Sequence, residues 1–333
     1  MGLTAKSRMT KGLLIKRWGA GFWSDIDHVA GQLAAADILG RVPVVHWGTS
    51  GPYADRKTET FGLYFEPVSH VSVDDLSGTI WPEGWTAANI KDDLPFAGTG
   101  YVDPRYGYYE FSMEKIHVPP EERTLKGMLD RPHDIVVSMC YEAPDVIAQA
   151  APSGSIYHHA DADRVRRIAM RERIKLRRSI ADRVEHFWQH SLQGHSVMAV
   201  HLRGSTKVVE NADIHRQNEA ALPLAAQWLA GGAERKVFLL SDSEAYLRQW
   251  SARFGARLVT QPCRRTGVET MPNFLMPDSD GWRNGLEILI DTYCAAKCER
   301  FVGNSSSNVS KYVAAIGEFG PGAIVFTDAP QLQ

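Results

Sequence analysis

The sequence predicts an α/β protein of two units, each organised around a parallel sheet. Three observations predict this. The chain has 333 residues, enough for about two domains. Both halves alternate short apolar strand patterns with longer helical ones, as strand–helix–strand crossovers do. Hydrophobic residues make up 44% and charged residues 23%, a globular composition that excludes disordered, collagen-like and coiled-coil chains.

The first unit is expected over residues 12–160. It opens on an apolar strand pattern from Leu13 to Trp18, followed by a turn at Gly19-Ala20-Gly21. Ser24, with Asp27 three residues on, reads as a helix N-cap. Ile26, Val29, Ala30, Leu33 and Ala34 recur at helical spacing and should face a core. Gly40 ends that helix, and Val42 to His46 is the next strand. Residues 48 to about 110 are rich in Gly, Pro, Trp and Tyr and read as loops and short strands. Trp18, Trp23, Trp47, Trp81 and Trp85 all precede residue 90. They fill a core or form a platform for sugar rings, whose C–H faces pack on aromatic faces.

The second unit is expected over 161–330. It starts with one long helix, Asp161 to about His190, carrying Arg164, Arg166, Arg167, Arg171, Arg173, Lys175, Arg177 and Arg178. This is read as a solvated face, with peripheral contact to an anionic membrane surface as the alternative. Strands follow at Val197–Leu202, Val237–Leu240, Phe301–Val302 and Ala323–Phe326. Helical patterns at about 214–230, 243–254, 286–297 and 306–316 separate them. Parallel sheets of this kind bind ligands beyond the carboxyl ends of their strands. Here those ends are His201-Leu202-Arg203-Gly204, Ser241-Asp242-Ser243 and Gly303 to Ser307.

Charge and composition narrow the function. Lys and Arg total 37 against 39 Asp and Glu, a formal net charge of −2. Nucleic acid is therefore not expected as a partner. No apolar run reaches the ~18–20 residues of a membrane span. Leu13-Leu14-Ile15 is too short for the apolar part of a secretory signal. Cys140, Cys263, Cys294 and Cys298 contain no Cys-x-x-Cys pair and read as buried thiols of a reducing, cytoplasmic setting. His186 and His190 have a metal-like spacing without the context that a metal site needs. No Gly-x-Gly-x-x-Gly, Walker loop, Gly-x-Ser-x-Gly or His-Glu-x-x-His occurs. Asp25/Asp27 and Asp161/Asp163 stand where helices begin, so capping accounts for them without a metal.

What remains is a set of anion-binding residues. Arg203 ends a strand, and its guanidinium can hold phosphate oxygens, with Lys207 as a second cation. Gly303 to Ser307 runs from a strand into a helix, and such a start offers hydroxyls and free backbone N–H groups. Asp291 lies in an apolar helix and needs partners such as the N–H groups of a guanine edge.

These segments carry a family resemblance. Val200-His-Leu-Arg203, Val237-Phe-Leu-Leu-Ser-Asp242, Leu289-Ile-Asp291 and Phe301-Val-Gly-Asn-Ser-Ser-Ser307 are similar to the ordered motifs of inverting α1,6-fucosyltransferases of the chitooligosaccharide and N-glycan core types. More distantly, they resemble protein O-fucosyltransferases. Gly21-Phe-Trp-Ser-Asp25 and Gly40-Arg-Val-Pro-Val-Val-His-Trp47 resemble the opening of that family's first domain. The resemblance implies a GT-B-like fold, two Rossmann-like domains facing across a cleft. It also implies a glycosyltransferase that needs no cofactor or metal and moves fucose from GDP-fucose to a saccharide or glycolipid acceptor, as in polysaccharide biosynthesis.

Residue by residue, the resemblance gives Arg203 the β-phosphate and the leaving group. Ser306 and Ser307 would hold the diphosphate, His201 and Asp291 would contact the guanosine, and Asp242 would join the donor site. Lys207 matches a position near the phosphates. Asp25, Asp27, His28 and Glu210 are candidates for the acceptor's general base, with Asp25 placed in the catalytic set. Gly204, Thr206 and Ser243 depart from the motifs, standing where the family has Arg, an acidic residue and a second Asp. Those departures keep two alternatives open: another donor (GDP-mannose, GDP-rhamnose or a UDP-sugar), or a non-catalytic saccharide-binding protein.

Overall fold

The computed structural model describes residues 11–17, 21–92, 102–103, 108–109, 122, 124–138, 140, 142–204, 211–267 and 279–329. In chain order the strands are β1 (Gly12–Ile15), β2 (Val42–Val45), β3 (Ile80–Trp81), β4 (Val102–Asp103), β5 (Tyr108–Tyr109), β6 (Ile135–Val137), β7 (Ser196–Leu202), β8 (Arg235–Ser241), β9 (Leu258–Val259), β10 (Arg300–Gly303) and β11 (Ile324–Phe326). The helices are α1 (Phe22–Leu39), α2 (Thr60–Tyr64), α3 (Leu125–Met128), α4 (Pro144–Gln149), α5 (Ala162–Ile168), α6 (Arg178–Ser191), α7 (Ile214–Glu219), α8 (Ala221–Ala230), α9 (Glu244–Phe254), α10 (Gly281–Ala296) and α11 (Asn308–Ile316).

The chain divides into two compact units. The first holds residues 1–50, 56–99 and 111–175, and the second holds 51–55, 100–110 and 176–333. Each has its own parallel sheet, in the order β2-β1-β6-β3 in the first unit and β11-β10-β7-β8-β9 in the second. β4 and β5 form a separate antiparallel pair. The sequence pattern marked β1, β2, β7, β8, β10 and β11. It did not place the three-residue strand β6 or the two-residue strands β3 and β9, which are too short to show a period.

In the first unit, Ile26, Val29, Ala30, Leu33 and Ala34 of α1 are fully buried, as their spacing predicts. Gly40 closes the helix at φ +61°, its N–H bonded to the carbonyls of Ala36 and Asp37. The start differs from the expectation. Gly21 is the N-cap and makes no side-chain cap bond, so Ser24 lies inside the helix. An aromatic cluster accounts for the early start. Phe22 packs edge-on to Trp23 and Tyr64, at 5.7 and 5.1 Å between centroids, so the helix must begin there to bury it. Trp23, Trp47, Trp81 and Trp85 are all buried and form core rather than a sugar platform. Trp18 lies outside the described residues.

The single long helix expected from Asp161 to His190 is broken. Asp161 caps α5 by accepting the Arg164 N–H at 2.7 Å. The helix then widens into a π turn over Ala169–Arg173 and ends at extended Ile174. The chain divides after Lys175, so α5 belongs to the first unit rather than opening the second. A buried ion pair explains why. Arg166, 5% exposed, donates to Asp27 through Nε at 2.6 Å and Nη2 at 3.3 Å, and to Asp163 through Nη1 at 2.9 Å. Arg166 is thus an anchor to α1, while Arg164, Arg167 and Arg171 stay on the expected solvated face. On α6, His190 Nδ1 lies 2.7 Å from the His186 carbonyl and the two rings lie 4.0 Å apart between centroids, tilted by 39°.

The second unit is a sheet covered on both faces. Alternate residues Met198, Val200, Leu202, Val237, Leu239 and Val302 pack on Ala221, Ala225 and Trp228 of α8 and Trp250 of α9. The opposite face meets α6 through Phe238 and Phe187, 5.7 Å between centroids, and α11 through His201. All four cysteines are free thiols, three of them buried and Cys263 half-buried. Among the described residues, no helix is long and apolar enough to cross a membrane.

Candidate active site

In the order β11-β10-β7-β8-β9, the chain runs outward from β7 to β8 and β9, then returns to the other side of β7 as β10 and β11. The switch point therefore lies between β7 and β10. Parallel sheets leave a crevice beyond the carboxyl ends of two such strands. The residues that follow β7 and β10 are Arg203-Gly204 and Asn304 to Ser307.

Arg203 is held from β8. Its Nη1 donates to Asp242 Oδ2, and the N–H of Gly204 donates to Asp242 Oδ1 at 3.1 Å. Asp242 thus spends both oxygens on fixing the end of β7. A guanidinium has five N–H donors, and the Arg203 side chain remains 28% exposed. Its unused N–H groups are a fork for an anion. Gly204 is required by this contact. A Cβ there would stand 2.8 Å from Ser243 Cβ, closer than carbon atoms approach. The second arginine of the resembling motif therefore has no room here, and Gly204 and Ser243, two separate departures in sequence, meet in space.

Across the switch point, the run after β10 sorts its three serines. The Ser305 hydroxyl donates to Asp328 Oδ2 at 2.6 Å, and the Ser306 hydroxyl donates to Asn304 Oδ1 at 2.5 Å. Ser307, the N-cap of α11, makes no side-chain cap bond. Its hydroxyl and the first N–H groups of α11 form an uncapped helix start, the arrangement that attracts anions. Ser306 was expected beside Ser307 on the diphosphate. Its hydroxyl hydrogen is committed to Asn304, which leaves only its oxygen lone pairs to meet a ligand donor.

His201 points from β7 to α11. It is 6% exposed, with Nδ1 2.9 Å from Ser310 Oγ. Burial, reinforced by the Arg203 charge, lowers its pKa to about 4, so the ring is neutral at pH 7. Ser310 Oγ also accepts the Asn304 N–H at 3.2 Å. A Cβ on Gly303 would stand 2.5 Å from this oxygen, so glycine lets α11 approach β10.

Asp291, on α10, is half-buried by area, yet its carboxyl is desolvated. Burial pushes its pKa up to about 8, with Arg265 pulling it down and Glu287 pushing it further up. Gln261, with its amide oriented to donate, gives hydrogen bonds to Asp291 Oδ1 at 2.7 Å and to the Glu287 carbonyl at 3.0 Å. Arg265 ties this group to the site, its Nε donating to the Ser241 carbonyl at the end of β8 at 3.1 Å.

Lys207 and Glu210, with Ser205 and Thr206, lie outside the described residues. Asp25 belongs to the first unit, in the first turn of α1, and is 1% exposed. His28 there is lowered to about 4 by burial, against the charge of Asp27. The first unit's own switch point, between β1 and β6, is filled rather than open. Lys16 follows β1, is 1% exposed, and donates to the carbonyls of Ile90 and Asp92 at 2.6 and 2.8 Å. Among the described residues, no group of three or more His, Cys, Asp or Glu could hold a metal.

Sequence reasoning missed Gln217, Asn218, Asn304, Ser310 and Asp328, which hold the loops from beneath. One signal was available. Gln217 and Asn218 stand three and four residues after Ile214 and before Ala221, at positions where the helical pattern calls for apolar side chains.

Comparison with solved structures covers most of the chain. NodZ α-1,6-fucosyltransferase from Bradyrhizobium is 21% identical, with a TM-score of 0.55, over 92% of this chain and 93% of that one, in crystals soaked with GDP-fucose. POFUT1 in complex with GDP is 15% identical, with a TM-score of 0.57, over 96% and 99%. FUT1 of Arabidopsis thaliana in complex with GDP is 12% identical, with a TM-score of 0.56, over 93% and 69%. The chain therefore has the α/β, GT-B-type fold of these fucosyltransferases. No protein-family model and no curated protein matches it in sequence.

The Gly204 contact yields a prediction. Gly204→Ala pushes Ser243 away and moves Asp242 off Arg203, so anion affinity at the site falls by about ten-fold while the melting temperature changes little. Titration calorimetry with pyrophosphate checks this; unchanged affinity would show that the close approach has no role.

Proposed function

We propose that the protein is a glycosyltransferase that moves fucose from GDP-fucose to a hydroxyl of a saccharide or glycolipid acceptor, with inversion and without a metal. The observation that carries this reading is the Arg203 fork, fixed by Asp242 at the end of β7, with the uncapped start of α11 following β10 on the other side of the switch point. The fold shared with NodZ and POFUT1, which were crystallised with GDP-fucose or GDP, supports the choice of donor.

The chemistry follows from where charge develops. As the bond between sugar C1 and the β-phosphate oxygen breaks, positive charge grows on the sugar and negative charge on the departing GDP. Arg203, the Ser307 hydroxyl and the α11 N–H groups meet that negative charge with pre-placed donors. This supplies the positive potential that a metal gives other transferases, which is the ground for proposing metal independence. The acceptor oxygen attacks C1 from the opposite face, and its proton passes to a base. We assign that base to Asp25, on the carboxyl side of the first unit's sheet. Lys207 is assigned to the phosphates with Arg203, and His201 to holding α11 on β7 beneath the guanosine.

Arg203→Ala should lower transfer by roughly 10²–10³ with the fold intact, because one pre-placed donor to the leaving group is lost. Radiolabelled GDP-fucose consumption measures this, and the same assay run with chelator and with Asp25→Asn tests the other two assignments. Transfer by Arg203→Ala close to that of the native chain would remove the proposed mechanism. Transfer that stops in chelator would remove metal independence, and an Asp25→Asn chain with undiminished transfer would remove Asp25.

Asp291 gives a pH signature. A guanine edge donates N–H bonds that only an ionised carboxylate accepts in full. With the free carboxyl titrating near 8, binding at pH 7 must first remove its proton. GDP affinity should therefore rise about eight-fold from pH 7 to pH 8.5 and then level off. In Asp291→Asn the rise disappears and binding is weaker throughout. A flat profile in the native chain would take Asp291 out of the guanine site.

A further inference from the structure

Two buried amides on α7 reach the loops that follow β7 and β10. Asn218, 2% exposed, donates through Nδ2 to the Arg203 carbonyl at 2.8 Å. Gln217, 7% exposed, accepts at Oε1 from Asn304 Nδ2 at 2.6 Å and from Asn211 Nδ2 at 3.0 Å. Asn304 passes the constraint on, because its own Oδ1 accepts both the N–H and the hydroxyl of Ser306, at 2.8 and 2.5 Å. The Asn304 carbonyl accepts the Ser307 N–H at 3.1 Å. Asn211 stands directly after residues 205–210, the segment that contains Lys207.

We propose that Gln217 and Asn218 are positioning residues that act as one clamp, setting Arg203, the Ser306–Ser307 turn and Asn211 in a single arrangement for the diphosphate. The proposal deepens the GDP-sugar reading and rests on it for the identity of the anion. The geometry makes the Gln217 oxygen the pivot. One carbonyl oxygen has two lone pairs, and here each takes an Asn amide from a different loop. Neither loop can shift without breaking its own bond to the oxygen that both share. A polar pair on the inward face of a short helix is costly unless every group is satisfied. Gln217 Oε1 and Asn218 Nδ2 find their partners in the loops that carry the site rather than in the sheet beneath.

The clamp is tested with Gln217→Leu, which keeps volume and removes the acceptor, and Gln217→Glu, which keeps an acceptor for both Asn amides. In the ligand-free chain, Gln217→Leu should speed hydrogen exchange of the Asn304, Ser306 and Ser307 amides by about ten-fold, the loss of one buried hydrogen bond. β8 should be unaffected, and Gln217→Glu should restore the slow rate. Exchange that does not change, or that rises equally in β8, overturns the clamp. Gln217→Leu should also bind GDP about ten-fold more weakly while binding guanosine as before, because only the phosphate side has moved. Equal loss for both ligands marks a merely structural role and overturns the proposal. A native chain that binds neither ligand removes the GDP-sugar reading instead, and the exchange rates still decide the clamp. Should Gln217→Leu fail to fold, Gln217→Asn withdraws the acceptor by one methylene and carries the same test.

Discussion

The second unit is arranged around one cation. Arg203 must stay ionised and aimed at the crevice in the absence of ligand, and a guanidinium left alone beside a sheet end would turn to solvent. Asp242 prevents this by taking one donor of the fork and leaving the rest. Gly204 lets Asp242 come close enough, its amide bonding the second carboxylate oxygen. The neutral state of His201 follows first from its burial, and the fixed guanidinium nearby adds to it. The end of β7 therefore carries a single positive charge of fixed direction.

The two sheets show how one topology gives unlike sites. Each has a switch point beside its first strand. In the first unit the cation there, Lys16, is spent on the carbonyls of Ile90 and Asp92 and covered by Trp85, with its nitrogen 5.1 Å from the ring. In the second unit the cation keeps most of its donors unused. That difference, rather than the sheet order, is the ground for proposing the anion site in the second unit. It also leaves the aromatic first unit with a filled core, in which Trp23, Trp47, Trp81 and Trp85 contribute packing.

Much of this was legible in the sequence because the longer strands carry both an apolar run and a polar residue at their carboxyl end. Arg203, Asp242 and Ser307 stand out for that reason. Three features were not legible. The break between α5 and α6 depends on Arg166 finding Asp27, a partner far away in the chain that no local pattern reveals. The division of labour among Ser305, Ser306 and Ser307 depends on Asp328 and Asn304, and the three hydroxyls are alike until those partners are in place. Gln217 and Asn218 break the apolar spacing of α7, a visible irregularity whose meaning appears only once Arg203 and Asn304 are seen against them.

The most direct test of the central claim is a crystal structure of the chain soaked with GDP. The account predicts the β-phosphate within hydrogen-bond distance of the Arg203 guanidinium and the start of α11, with Asp242 still on Arg203 and the guanine edge on Asp291. A nucleotide bound elsewhere, or one seated at the β7–β10 switch point without contact to Arg203, would contradict it.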